Sequence, residues 1–138
     1  MEEIKVHLTE EEFQRLNELF PPSEKSATVG RRAVEIVKYH FLSINSDYKF
    51  SKASKGADLK VVCGDFDFEI EIKGTTKADI AWSQLKVSSQ TSHDRLFQGL
   101  PLYRVISANN IHPTIFVLKH DDDFILSPET RWKIQRKN

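Results

Sequence analysis

Three side chains in the stretch from Gly56 to Thr76, GADLKVVCGDFDFEIEIKGTT, are spaced to act together: Asp58, Glu71 and Lys73. Residues 66–73 alternate without a break. Phe66, Phe68, Ile70 and Ile72 take one face of a strand, and Asp67, Glu69, Glu71 and Lys73 take the other. Gly64-Asp65 suits a two-residue II′ turn, since glycine accepts φ > 0 at its first position without steric cost. Such a turn fixes the register. Cys63 then faces Phe66, Val61 faces Phe68, Leu59 faces Ile70 and Ala57 faces Ile72. On the charged face Lys60 meets Glu69, and Asp58 lies directly opposite Glu71. Two opposed carboxylates repel by a few tenths to ~1 kcal/mol, so a cation is expected beside them. Lys73 is one pleat away, and a divalent ion would offset more. Mg²⁺ takes one or two protein carboxylates and completes its shell with water or phosphate oxygens. The hairpin therefore reads as a metal site with an adjacent lysine. An ordinary solvated strand face is the plainer alternative.

Asp58 followed by Glu71-Ile72-Lys73 on the next strand resembles the D…(D/E)-x-K signature of the PD-(D/E)XK, or restriction-endonuclease-like, nucleases. The resemblance spans roughly residues 27 to 119, with Ala57 standing where the family name has proline. It implies that Asp58 and Glu71 hold Mg²⁺ (or Mn²⁺) and that Lys73 positions or activates the attacking water. It also suggests Glu35, on the helix before the sheet, as a further metal ligand and Gln84 as an orienting amide. By their own chemistry, Glu35 equally suits an ion pair with Arg31 or Lys38, and Gln84 suits a surface amide. The fold implied is α/β: a restriction-endonuclease-like core of mixed sheet flanked by helices. The activity implied is Mg²⁺-dependent hydrolysis of DNA phosphodiester bonds, by a homodimer if both strands are cut. A junction resolvase is the nearest enzymatic alternative. A catalytically silent nuclease-like domain that binds nucleic acid or protein, and an unrelated interaction protein, are the others.

The elements that must position these residues can be taken in order. Residues 3–8 alternate as a short strand. Thr9-Glu10-Glu11-Glu12 is a capping box, with Leu8 and Phe13 placed as a hydrophobic staple. The helix that follows stops near Phe20 at Pro21-Pro22. Residues 1–24 are thus expected as an N-terminal strand-helix arm, suited to packing or dimerisation, ahead of a nuclease-like domain over 25–138. A second helix is predicted over about 28–42, where Val29, Ala33, Ile36, Val37 and Phe41 recur at helical spacing. A strand near 48–52, the hairpin, a strand end or short extension near 80–82, a helix somewhere in 83–98, and strands near 101–107, 114–120 and 124–126 complete the chain. Lys52 and Lys55 ahead of Asp58, and Arg131 and Lys133 in the tail, are the candidate phosphate contacts.

Composition sets bounds on these readings. The chain has 138 residues, enough for one sizeable core. With 20 basic and 20 acidic residues, only a local basic surface is available for nucleic acid. One cysteine leaves no disulfide framework, and the five histidines lack ligand spacing. There is no long apolar run or leader, so a soluble cytoplasmic protein without a membrane partner is expected. Asp121-Asp122-Asp123 lacks the glycine and glutamate of a calcium loop and reads as a solvated turn.

Overall fold

The alternating and amphipathic segments assemble into six strands in one mixed sheet, with helices on its faces. The computed structural model describes every residue except Thr130, Arg131, Lys133 and Asn138. In chain order the elements are β1 (Glu2–Lys5), α1 (Glu10–Leu19), α2 (Ser26–Ile44), β2 (Lys49–Ser51), β3 (Leu59–Cys63) and β4 (Phe66–Gly74). A 3-10 turn (Trp82–Gln84), α3 (Gln90–Phe97), β5 (Leu102–Ile106) and β6 (Thr114–Leu118) follow. The strand order is β1-β6-β5-β4-β3-β2. Only β4 and β5 run parallel; the other four pairings are antiparallel. The parallel pair needs a crossover, which the 3-10 turn and α3 supply.

Each face of the sheet buries its own cluster. On one side, Val29, Ala33, Ile36, Val37 and Phe41 of α2 pack with Val61, Ile70, Ile72, Val105 and Ile115. Gly74 lets the helix approach the strand here, because a Cβ at this position would lie 2.8 Å from that of Ala33. On the other side, Leu96 of α3 joins Leu100, Leu102 and Leu118, with Leu85, Val87 and Phe116 packed around them. Covering both faces of a mixed sheet gives the layered α/β arrangement.

Residues 1–24, expected as an arm, are built into the sheet and its core. Strand β1 is an edge strand on β6, and Leu16 of α1 is fully buried in the α2-side cluster. The capping box at Thr9 forms with both of its bonds. Arg32 of α2 ties the segment down: it is fully buried and donates to Asn17 Oδ1 (2.8 Å), the Phe20 carbonyl (2.7 Å) and the Ala108 carbonyl (3.0 Å).

Two expectations are corrected. No strand forms near 80–82, where Ala81 turns into the left-handed region at φ 51°. The final short strand shrinks to a single bridge between His120 and Phe124. The helix expected somewhere within 83–98 does form, over Gln90–Phe97, where Ser89 caps it by accepting from the Ser92 amide.

Candidate active site

The hairpin has the expected register over β3 and β4, from Cys63 opposite Phe66 to Leu59 opposite Ile70. Gly64 takes φ 61° and Asp65 stays at negative φ, as a II′ turn requires. At Asp58 the chain departs from the ladder. Ala57 does not face Ile72; it packs with the α3-side cluster, on the opposite face of the sheet from Ile72. The Asp58 side chain takes over the ladder position instead. Its Oδ2 accepts the Ile72 N–H at 2.7 Å, while its own N–H reaches the Ile70 carbonyl at 2.9 Å.

This departure sets the Asp58 carboxyl beside that of Glu71. Glu71 is buried and Asp58 exposed, so the pair spans the surface. Burial, together with Asp58 beside it, pushes Glu71 up to about 8 against the opposing pull of Lys73. Both influences favour the protonated form of Glu71. Among the described residues, no set of three or more His, Cys, Asp or Glu side chains is arranged to hold a metal ion. The donor set here is two carboxyls, the number Mg²⁺ uses when water and phosphate oxygens fill its remaining positions.

Lys73 shares the charged face of β4 with Glu69 and Glu71, by strand alternation. It opens onto a cleft of about 550 Å³ at the end of β4, which Gln84 and Arg104 also line. The Thr75 hydroxyl donates to Gln84 Oε1 at 2.7 Å, so the amide is held at the cleft wall. Lys73 and Gln84 are thus brought together, one pleat from the carboxyl pair.

Glu35 lies on the other side of the sheet. Helix α2 packs over the face that carries Ile72 and Gly74, whereas Glu71 points the other way. The Glu35 carboxylate pairs with Lys38 at 3.4 Å, the i,i+3 alternative visible in the sequence. Lys52 and Lys55 are exposed on the loop between β2 and β3. Arg131 and Lys133 lie outside the described residues.

Sequence reasoning missed two groups. Glu69 fastens the loop that carries Asp58. Its carboxylate accepts from the Ser54 hydroxyl (2.7 Å) and amide, and pairs with Arg95 of α3 at 3.2 Å. The Ser54 bonds, with Arg95 adding to them, hold Glu69 below the usual carboxylate range. The second group is Arg104, only 2% exposed, whose guanidinium donates to the carbonyls of Ile80 (2.8 Å) and Gly74 (3.1 Å). Its signal was present in Leu102-Tyr103-Arg104-Val105-Ile106, where a lone cation interrupts the apolar face of Leu102 and Ile106.

No family model, curated protein or solved structure matches this chain. No helix among the described residues is long and apolar enough to cross a membrane.

Proposed function

We propose that the chain is a Mg²⁺-dependent nuclease that hydrolyses phosphodiester bonds, with DNA as substrate. One observation carries the reading: the carboxyls of Asp58 and Glu71 meet on one strand face, with Lys73 beside them at the mouth of a cleft. The element order supports it. Helix α2, the antiparallel strands β2, β3 and β4, the crossover through α3 and the parallel strand β5 follow the order of the restriction-endonuclease-like core.

Asp58 and Glu71 would hold the ion, with Mn²⁺ as a substitute. Bound there, Mg²⁺ supplies an acidified water and shields the charge of the phosphate. The chain's own contributions follow from its contacts. The Ile72 amide fixes the Asp58 carboxylate, so one ligand is set before any ion arrives. Glu71 would have to be ionised to join Asp58 in holding the ion, against the burial that favours its neutral form. The Lys73 ammonium holds the attacking water or the charge that develops on the phosphate. Gln84, anchored by Thr75, offers its amide N–H groups to the same space. A homodimer would place two such sites for cutting both strands, and branched DNA is the natural second substrate to try.

A second reading has its own observation. Glu71 is buried with Asp58 beside it, and both favour its neutral form, which suits a silent domain that binds nucleic acid or protein without cleaving. A divalent-metal titration against plasmid and branched DNA, comparing wild type with Lys73→Ala, separates the two. Metal-dependent cleavage that Lys73→Ala removes supports the nuclease. Binding without such cleavage supports the silent domain.

A further inference from the structure

Lys73 and Arg104 are register partners on the parallel strands β4 and β5, so two cations stand side by side on one face. Like charges in directly paired positions destabilise a sheet, and a guanidinium that is 2% exposed adds the cost of desolvation. Burial accordingly pushes Arg104 down, opposed by Asp79. Neither Lys73 nor Arg104 forms an ion pair among the described residues. Every acceptor that Arg104 does reach is neutral: the carbonyls of Ile80, Gly74 and Ala81, and Gln84 Oε1. Its Nη1 gives one N–H to Gly74 and has a second to offer.

Both cations line the cleft, and so does Lys77. The acid on its wall, Glu24, already accepts the Thr76 hydroxyl at 2.8 Å. A volume of about 550 Å³ falls within the roughly 300–1,000 Å³ of ligand sites and exceeds what a single phosphate needs. The cleft adjoins the carboxyl pair through Ile72, which lines it and whose amide binds Asp58.

We propose that this cleft is an oxyanion subsite for the backbone phosphate next to the one being cleaved, held by Arg104 and Lys77. The assignment rests on the nuclease reading for the word "cleaved", but not for the binding of the anion. Its ligand chemistry is a phosphate oxyanion carrying a nucleoside, because Arg104 and Lys77 supply the charge and the remaining volume accommodates more than a phosphate.

The test uses the full chain and short oligonucleotides in which one phosphate at a time is replaced by a neutral methylphosphonate. Binding is measured without divalent ions, and cleavage with Mg²⁺, for wild type and Lys77→Glu. Lys77 is exposed, so the variant keeps its fold; a thermal melt checks this. One neutral replacement should weaken wild-type binding by about tenfold, the scale of one charge-assisted hydrogen bond. The same replacement should have little effect in Lys77→Glu. Equal loss in both proteins at every position overturns the subsite, and undiminished cleavage of the native oligonucleotide by Lys77→Glu does so while leaving the nuclease reading intact. The coupled loss in binding, with no cleavage in either protein, sustains the subsite and removes the nuclease reading. Inorganic phosphate that binds in a Lys77-dependent way, with no oligonucleotide phosphate showing the coupling, overturns the backbone assignment in favour of a free-phosphate site.

Discussion

Asp58 accepts the backbone N–H of Ile72 at 2.7 Å through Oδ2, so a side chain stands where the next ladder carbonyl would have been. The bond does two jobs: it closes the end of the β3–β4 ladder and aims the carboxyl at Glu71. Asp58→Asn keeps an acceptor for Ile72 and should fold, but should lose divalent-ion binding in calorimetry. Asp58→Ala leaves the amide without that partner and should cost about 1–3 kcal/mol in denaturant unfolding.

Glu71 gives a pH dependence with a definite sign. Its folded value of about 8 lies above its ordinary 4.5, so the folded chain binds the proton more tightly than the unfolded chain does. The stability from this proton is fully present below 4.5 and is lost as pH rises through about 8. Melting of the wild type without divalent ions should therefore fall across this window. The part of the slope due to this residue should be absent in Glu71→Gln. Added Mg²⁺ should raise the wild-type melting temperature most at the alkaline end, where the ion has no proton to displace.

Lys73→Ala tests the nuclease chemistry rather than the ion. Removing a cation beside the carboxyl pair should leave Mg²⁺ affinity equal or slightly higher. Cleavage should fall by about 10²-fold or more, the scale of losing one transition-state contact. DNA affinity should change little, since one contact among many phosphates carries a small share of binding. A parallel loss of ion binding and cleavage would count against the assigned role.

Glu69→Gln tests how the Asp58 loop is held. Its ion pair with Arg95 and its acceptance of the Ser54 bonds fasten that loop to α3. The variant should loosen residues 52–57 in amide exchange and weaken Mg²⁺ binding. Glu69 is not placed as a ligand, so saturating Mg²⁺ should restore most of the cleavage rate.

Assembly is testable separately. A nuclease of this size that cuts both strands is expected as a cyclic dimer. Light scattering should give twice the chain mass at concentrations well above micromolar. A monomer would confine the activity to nicking or single strands.

The hairpin was legible because alternation and a Gly-led turn are local signals, and they set which side chains share a face. The break at Asp58 was not. Nothing in Ala57-Asp58-Leu59 says that the aspartate will replace a carbonyl, because the choice depends on Ala57 finding the α3-side cluster. Glu35 was read from resemblance and lies across the sheet, since helical spacing fixes neighbours along α2 but not which face of the sheet the helix covers. Arg104 and Lys73 are thirty-one positions apart and become partners only through the parallel pairing. No short-range pattern encodes that meeting.

The pairing of Glu2 with Val117 has a consequence for how the chain comes to be folded. During synthesis β1 leaves the ribosome well before β6, the strand it pairs with, so its hydrogen bonds must wait until β6 has emerged. Local units such as the β3–β4 hairpin can form early, whereas long-range pairings are slow to close. During synthesis Leu16 and the segment before it have no β6 to settle against. The nascent chain therefore carries the apolar side chains of Val6, Leu8 and Leu16 in need of protection until β6 arrives.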